Sequence, residues 1–352
     1  MLAGTSDLQA KRPPIFNLRA GPVSLRFNLR VLVLIVASLL LLLLLAAWAT
    51  TLGSFHVPLD EVVKAAVGDS TRQNEFVVQS LRLPRVAVAI CVGCALAMSG
   101  AIFQGLVRNP LVSPDIIGIN AGASVVAVWW LVTGKDTAFL PLVAFGGAVG
   151  AAALIYLLTW RGGISGNRLI LVGIGMNAML SAATTYLLVK YPIDRVSNAV
   201  LWTTGSIYGS DWGDVRVIAA ALLFLIPLGV VLMISLRVLQ FGDDTAASLG
   251  MVVEPTRLML ILVGCALAAV SVSLAGPIGF VALIVPHVAR MIAGPMTGAV
   301  LLLTGVLGAL LLLGADVVAQ HYLPVTLPVG VVTAVIGAPY FLLLLYRSNT
   351  RV

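Results

Sequence analysis

Charged residues are scarce in this chain. Only 10% of its 352 residues are Asp, Glu, Lys or Arg, whereas 60% are apolar. Soluble globular proteins carry about 25% charged residues, so this composition excludes a soluble globular domain. Apolar runs of about 20 residues are long enough to cross a bilayer as helices. We therefore expect a membrane protein whose helices lie mostly in hydrocarbon.

Cysteines are few, and a nucleotide-binding motif is missing. Two of the three cysteines, Cys91 and Cys94, form a C-x-x-C inside an apolar run. Two thiols within one span cannot complete a four-ligand zinc site. We interpret them as packing residues and predict neither a disulfide framework nor a metal site. No G-x-x-x-x-G-K-[ST] motif occurs, so we expect no P-loop on this chain.

The N-terminus lacks the pattern of a cleavable signal peptide. The apolar run 31–49 is long for such a signal, and no small-x-small cleavage site closes it. Residues 1–30 contain five basic residues and one acid, Asp7. We predict a disordered basic tail over 1–30, held against anionic cytoplasmic lipid, and a polytopic domain over 31–352.

Ten apolar runs predict an all-α membrane protein with ten helices in a compact bundle. The predicted spans are 31–50, 85–104, 116–134, 138–160, 169–189, 214–236, 257–275, 278–293, 298–319 and 328–346. With the N-terminus in the cytoplasm, the cytoplasmic side holds thirteen Lys and Arg residues and the outer side eight. This excess follows the positive-inside rule, so we expect both termini in the cytoplasm.

A short repeat indicates that the bundle has two related halves. The hexapeptide VGCALA occurs at 92–97 in the second span and at 263–268 in the seventh. In the predicted topology these spans run in opposite directions, as an inverted repeat requires. Coincidence is the alternative in a chain so rich in Ala, Val and Leu. Small residues four apart, such as Gly118 and Gly122, predict close helix packing in lipid.

Residues 236–257 form a polar island between two apolar runs. Asp243, Asp244 and Thr245 are suited to cap the N-terminus of a helix, and Gly250 can supply its left-handed stop. We predict a short surface helix with small side chains, which the backbone of another protein could approach closely. A capped turn without a partner is the alternative.

Two other polar segments interrupt the apolar pattern near the second span. In 99–115, prolines break the helix, and Gln104 and Asn109 need partners or water at membrane depth. This pattern indicates either a constriction in a pathway or an interfacial loop. On the outer side, Arg82 and Arg85 flank Pro84 and could offer planar forks to carboxylates. Lipid phosphate is the alternative partner.

The last polar features lie in the second half of the chain. Pro277 and Pro286 are predicted to bound a short helix, and His287 and Arg290 near its end complement the helix dipole. A titrating histidine is the alternative. Apart from Asp214 at the edge of its span, Asp316 is the only acid inside a predicted span, which makes it a functional candidate by default, unless it is simply hydrogen-bonded.

Four long segments resemble one family. SGAIFQGLVRNPLVSPDIIGINAGAS, GDDTAASLG, LAGPIGFVALIVPHVAR and LPVGVVTAVIGAP together resemble the iron-siderophore and cobalamin permeases of ABC importers. The resemblance runs from about residue 32 to 346, and GDDTAASLG and LWTTGSIYG are most similar to ferric-enterobactin-type subunits. It implies a type II ABC importer permease fold without catalytic residues or a cofactor of its own. The implied partners are a second permease subunit, two cytoplasmic ATPases that hold ATP and Mg²⁺, and a substrate-binding protein.

The resemblance also implies roles for individual residues. The ATPase-coupling segment would be Gly242, Asp243, Asp244, Thr245, Ala246, Ala247, Ser248, Leu249 and Gly250. The cytoplasmic gates would be Asn109, Leu111, Gly166 and Asn167, the binding-protein dock Arg82 and Arg85, and the pathway lining Met176, Asn177 and Thr184. The gate pair Gly166 and Asn167 replaces Thr-Ser, and Gln320 replaces a further docking arginine. Gate chemistry and the dock are therefore expected to differ from those of the cobalamin relative.

The expected function is import of a ferric siderophore, with a catecholate type favoured, across the inner (plasma) membrane. A homodimeric cobalamin or haem permease is one alternative. An ion-driven secondary transporter is another, and it would need a relay of intramembrane carboxylates or histidines, for which only Asp316 and His287 are candidates. Membrane lipid is an expected partner, and nucleic acid is not.

Overall fold

The structure is a computed structural model that describes residues 15–20, 23–53, 55–160 and 166–349. Ten apolar helices within these ranges each overlap one predicted span, so the predicted helical bundle is confirmed. They are α1 (Leu29–Thr51), α4 (Leu83–Val107), α6 (Ile119–Val132), α7 (Leu140–Thr159), α8 (Gly166–Lys190), α10 (Trp212–Leu239), α12 (Val253–Ala275), α13 (Val281–Ala293), α14 (Gly298–His321) and α15 (Val329–Asn349). Seven are long and apolar enough to cross a bilayer, whereas α6, α13 and the apolar part of α15 are shorter.

Short helices that the apolar runs did not predict connect these spans. They are α2 (Leu59–Val67), α3 (Arg72–Glu75), α5 (Pro114–Ile117), α9 (Ile193–Thr203) and α11 (Asp243–Ser248), with a π-helical stretch at Phe76–Arg82 and a 3₁₀ turn at Thr137–Phe139. The two longest, α2 and α9, are amphipathic. Each buries only two residues against the bundle, Val62 and Ala65 from α2 and Val196 and Ala199 from α9.

Part of the basic tail is ordered, so the prediction of a wholly disordered tail is wrong for 15–20 and 23–28. Strands β1 (Ile15–Ala20) and β2 (Val23–Asn28) pair antiparallel, with Leu18 opposite Leu25. The physical reason lies in the sequence of β2, where apolar and polar residues alternate with the period of a strand. Residues 1–14 and 21–22 lie outside the described residues.

Helix α4 lies at the centre of the bundle and packs against α10, α12, α13 and α14. Glycines make this packing close, as the small-residue spacing predicted. A Cβ added to Gly93 would overlap the backbone of Gly308, and one added to Gly100 would overlap the carbonyl of Ala282. Backbones therefore touch directly, which is how helices associate in lipid, where burial of apolar surface provides little driving force.

The two helices that carry the repeated hexapeptide, α4 and α12, lie side by side in opposite directions. Arg108, at the end of α4, and Arg257, at the start of α12, both approach the Asp243 carboxylate, at 4.0 and 2.7 Å. The end of one helix therefore lies beside the start of the other, while Ser99 donates to the Gly264 carbonyl at 2.7 Å between them. These helices carry the repeated hexapeptide and run antiparallel, as predicted.

Helix α13 contains Pro286, which the sequence had suggested as its boundary; that prediction is wrong. A proline inside a helix leaves the carbonyl four residues earlier without its usual donor, here the carbonyl of Ala282. The Gln104 amide of α4 donates to this carbonyl at 3.3 Å and to that of Leu283 at 3.0 Å. Gln104 thereby compensates for the proline, and its side-chain oxygen accepts a hydrogen bond from Arg290.

Candidate functional site

The predicted coupling segment forms a short helix, α11, but its N-terminus differs from the prediction. The N-cap position is Gly242, with φ 109° and ψ 156°, and no side chain caps the helix. Asp243 lies inside the first turn, and its carboxylate bonds to Arg257 rather than to backbone N–H groups. A charged partner in hydrogen-bond reach outcompetes the neutral amides of the helix end.

The end of α11 is as predicted. Gly250 has φ 82°, its N–H donates to the Ala247 carbonyl at 2.9 Å, and the Met251 N–H donates to the Ala246 carbonyl at 3.0 Å. This pair of bonds is a Schellman motif, which requires a left-handed residue after the helix. The chain therefore turns back into the membrane immediately after a six-residue helix.

The predicted coupling segment 242–250 is not exposed along its whole length. Ala246 is 0% exposed and packs into the main core, whereas Leu249 is 68% exposed. Ala247 and Ser248 are also exposed, as is Phe241 just before the helix. A protein that contacts this end would meet Phe241, Ala247 and Leu249, and Ala246 instead attaches the helix to the bundle.

Two arginines tie α11 to its neighbours. Arg257 of α12 donates to Asp243 at 2.7 Å and to Glu254 at 2.9 Å. Arg108, at the end of α4, donates to the Leu239 carbonyl at 2.9 Å and lies 4.0 Å from Asp243. The Asp243 carboxylate is therefore shared by the start of α12 and the end of α4.

The predicted gate residues meet at this same end of the bundle. The Asn109 side-chain oxygen accepts a hydrogen bond from the Leu111 N–H at 2.9 Å, which fixes the turn after α4. A Cβ placed on Gly166, the first residue of α8, would lie 3.3 Å from Val107 at the end of α4. The two candidate gate segments are thus adjacent. Asn167 is exposed, and residues 161–165 between the spans lie outside the described residues.

A cavity of about 620 Å³ lies between α5, α6, α8, α13 and α15. The predicted pathway residues Asn177 and Thr184 line it, together with Ser113, Asp115, Asn120 and Ser124. Met176 does not. It is buried with the core of α6 and α7 on the other side of α8. Successive residues of a helix point about 100° apart, and here Asn177 faces the cavity whereas Met176 faces α6 and α7.

At the opposite end of α4, both predicted docking arginines bond to this chain. Arg85 forms a two-pronged pair with Asp316 of α14, with Nε at 2.9 Å from Oδ2 and Nη2 at 2.6 Å from Oδ1. Arg82 donates to the carbonyls of Thr50, at 2.7 Å, and Phe55. Asp316 is thus explained as an ion-pair partner, and Gln320 lines the same cleft. Docking by these arginines stays a prediction.

The remaining residues singled out by sequence occupy packing positions. The half-buried His287 ring meets the Tyr340 ring edge-on, with centroids 6.2 Å apart. The three cysteines are free, and the Cys94 sulfur lies 3.7 Å from that of Met98. In the described part of the chain, no group of three His, Cys, Asp or Glu residues could hold a metal ion.

Sequence reasoning missed the polar corner of the cavity. Asp115 had been assigned to a cytoplasmic loop, yet its carbonyl accepts a hydrogen bond at 3.2 Å from Asn177, which lies near the middle of α8. Pro114 and Gly118 could have indicated this arrangement from the sequence. Pro114 begins the short helix α5 and Gly118 ends it, so the chain stays within the bundle at this point. Phe280, at φ 68° before α13, was also missed.

Known proteins resemble this chain over most of its length. The profile of the FecCD transport family matches residues 39–347. The ferric enterobactin transport system permease protein FepG of Escherichia coli strain K12 is 42% identical over 306 residues, which cover 86% of this chain and 92% of the relative. The achromobactin transport system permease protein CbrC of Dickeya dadantii strain 3937 is 40% identical over 337 residues, or 94% and 96% of the two chains.

A solved structure is also similar. It is described as a metal-chelate type ABC transporter in an inward-facing conformation, and it superposes with a TM-score of 0.80 at 29% identity. The superposition covers 89% of this chain and 98% of that one. The predicted type II importer permease fold is thereby confirmed.

Proposed function

Because the chain belongs to the FecCD transport family, we propose that it is the membrane-spanning subunit of an ABC importer that carries a ferric siderophore into the cytoplasm. It is a transport subunit and not an enzyme. The multi-span fold and the relatives support a location in the inner membrane. We propose that both termini are cytoplasmic, from the excess of basic residues on that side.

One observation carries the proposal: α11 is connected to the candidate gates through Arg108. This residue directly precedes Asn109, and its guanidinium lies 4.0 Å from Asp243 of α11. Val107, one residue earlier, lies 3.3 Å from where a Cβ on Gly166, at the start of the second gate segment, would stand. A displacement of α11 would therefore act within a few residues of both gate segments.

The mechanism follows from this connection. In this proposal, two separate cytoplasmic ATPase subunits bind ATP and Mg²⁺. Their closure moves the exposed residues Phe241, Ala247 and Leu249, and α11 draws the ends of α4 and α12 with it. Such a change is driven by the difference in the free energy of ATP binding between the two states. A substrate-binding protein supplies the affinity for the cargo, with Arg82 and Arg85 proposed as its dock.

A second permease subunit would complete the pathway. Helix α8 lines the cavity, and several of its apolar residues are exposed, including Leu171 and Met179. Purification of the intact complex, followed by mass spectrometry, would distinguish a heterodimer from a homodimer.

The test of the proposal is uptake of ⁵⁵Fe-labelled siderophore into proteoliposomes that contain the complete transporter. Leu249→Asp and Ala247→Asp should reduce ATP-driven uptake at least about tenfold, because a charge in a desolvated contact costs several kcal/mol. Val67→Asp, at an exposed apolar residue of α2, is the matched control and should transport normally. Full uptake by both α11 variants would remove the coupling role.

The siderophore class is proposed to be a catecholate of the enterobactin type, which the similarity to FepG supports. Relatives named for achromobactin and for ferric citrate are also similar. Mass spectrometry of the ligand retained by the cognate binding protein would decide between these classes. Recovery of cobalamin or haem would refute a siderophore cargo, and uptake that persists without ATP but stops with an uncoupler would favour ion-driven transport.

A further inference from the structure

Helix α13 carries an arginine, Arg290, that has no carboxylate partner in the described part of the chain. Its guanidinium donates to the neutral side-chain oxygen of Gln104 and takes part in none of the ion pairs that the described residues form. A guanidinium presents several N–H donors in a planar fork. Because Arg290 is half-buried and a cation at membrane depth is costly without an opposite charge, this position favours an anionic visitor.

Arg290 lies on the face of α13 that continues the wall of the cavity. Leu283 lines the cavity, and His287 and Arg290 follow it one and two turns later, which keeps the three side chains within about 60° of one another around the helix axis. The His287 ring meets that of Tyr340, and the next residue, Phe341, also lines the cavity. The rise of the helix therefore puts Arg290 about 10 Å beyond the cavity wall on the same face.

This side of the cavity leads to the candidate gates. Gln104, which accepts the hydrogen bond from Arg290, lies near the end of α4. The turn that follows α4 is the one that Asn109 fixes. The proposed topology places this end toward the cytoplasm, so a molecule that leaves the cavity through the gates would pass near Arg290.

The cavity itself offers little attraction to an anionic cargo. Among the described residues that line it, Asp115 is the only charged one, and its carboxylate accepts a hydrogen bond from the Asn120 amide. A ferric catecholate carries negative charge, so its attraction to a cation begins only beyond this wall. A cation at the exit would therefore draw such a chelate onward instead of holding it inside the cavity.

We propose that Arg290 is an anion-binding residue at the exit of the pathway, where its guanidinium pairs with a negatively charged oxygen of the chelate, a catecholate oxygen in a catecholate cargo. The inference rests on the proposed function and names a residue that favours anionic cargo within it. The hydrogen bond to Gln104 positions the guanidinium, and its other N–H groups donate to the oxygen of the chelate.

The test detects the charge at the exit through a thiol. Phe341→Cys places that thiol on the cavity wall, next to Tyr340. The complete transporter in nanodiscs is treated with a methanethiosulfonate that carries either an anionic sulfonatoethyl or a cationic trimethylammonioethyl group. Modification of position 341 is followed by peptide mass spectrometry, which keeps the native cysteines out of the measurement. The ratio of the two rates cancels changes in the reactivity of the thiol itself.

In the Phe341→Cys protein, Arg290→Gln should lower the ratio of the anionic to the cationic rate at least about fivefold, because the lost charge attracts one reagent and repels the other. Arg290→Lys keeps the charge and should keep most of the ratio. Arg237→Gln, at an exposed arginine near the end of α10, is the matched control and should leave the ratio unchanged.

A ratio that Arg290→Gln leaves unchanged would overturn the site, because the guanidinium would then be neutralised by a lipid phosphate or directed away from the pathway. Equal falls in Arg290→Lys and Arg290→Gln would also overturn it, since a purely structural role predicts them, as would failure of both reagents to modify position 341. If Arg290→Gln fails to assemble, Arg290→Met removes the same charge, keeps an apolar stem and should give the same fall.

Uptake of the ferric siderophore by the parent transporter is measured separately. Normal uptake together with an unchanged ratio would refute this site and leave the proposed function standing. Absence of ATP-driven uptake together with the expected fall in the ratio would contradict the proposed function and leave the anion-binding residue standing.

Discussion

The two ends of α4 each place an arginine beside a carboxylate, but in opposite settings. At the N-terminal end of α4, called the outer end after the proposed topology, Arg85 and Asp316 form two bonds of 2.6 and 2.9 Å, and their side chains are 18% and 7% exposed. At the other end, Arg108 lies 4.0 Å from Asp243, and both side chains are about half exposed. Water and salt screen the second pair and hardly reach the first.

Because the two ion pairs differ in exposure, we expect the two ends of α4 to have different functions. The outer pair joins α4 to α14, so breaking it leaves a charge in a nearly dry site. The inner pair can be broken and remade at little cost, because water replaces either partner and Arg257 also holds Asp243. A transporter that moves at its ATPase end needs an exposed, easily broken ion pair at that end. It needs a buried ion pair where the bundle stays closed.

The largest effect is expected when the outer pair is broken. Asp316→Ala should lower the free energy of unfolding by about 3–5 kcal/mol, because Arg85 stays buried without a partner. The measurement is the thermal unfolding midpoint of the purified transporter in detergent. The double variant Arg85→Met with Asp316→Leu is the control and should recover most of the loss, since it removes both charges. An unchanged midpoint for Asp316→Ala would show that the two ends do not differ.

The sequence was sufficient for the parts of the fold that depend on local composition. Ten apolar runs predicted ten helices, the spacing of small residues predicted close helix packing, and Gly250 predicted the end of α11. The exposed surface helix between apolar runs was also recognisable. These features follow from propensity and hydropathy over a few turns, which a single sequence records directly.

The rest depends on contacts between distant residues. Arg85 and Asp316 are 231 positions apart, and nothing local pairs them, although an acid inside a span and an arginine at a helix start are each unusual enough to suggest it. Gln104 compensates for Pro286 across two helices in the same way. The segment 99–115 was left open between a pathway constriction and an interfacial loop, because the sequence alone does not show that the chain continues after Pro114 as the short helix α5 beside Asn177.

A smaller effect should follow from disturbing the end of α11. Gly250→Ala places a Cβ on a residue with φ 82°, where an L-residue is strained by about 1 kcal/mol. Since no heavy atom lies within 4 Å of that Cβ, the cost should come from the backbone alone. Amide exchange over 243–251, followed by mass spectrometry, should be about fivefold faster. The thermal midpoint of the whole protein should hardly change.

Gly150→Ala is the matched control for this variant. Gly150 lies within α7 and also has no heavy atom within 4 Å of an added Cβ, but its helical backbone accepts alanine. Exchange over 243–251 should therefore equal that of the parent protein. Equal exchange in the Gly250 variant as well would mean that the left-handed turn does not hold α11.

The smallest change in stability, and the sharpest test of the comparison, is expected for Asp243→Asn. The loss should stay within about 1 kcal/mol, because the Asp243 side chain is half exposed and the largely buried Arg257 keeps its second carboxylate partner, Glu254, at 2.9 Å. Uptake per ATP hydrolysed should nevertheless fall, since α4 and α12 lose their common partner on α11. Asp244→Asn, at the exposed neighbouring acid with no ion pair among the described residues, should keep normal coupling. A destabilisation by Asp243→Asn as large as that of Asp316→Ala would mean that the inner contact is as fixed as the outer one, and that α11 is not the movable part.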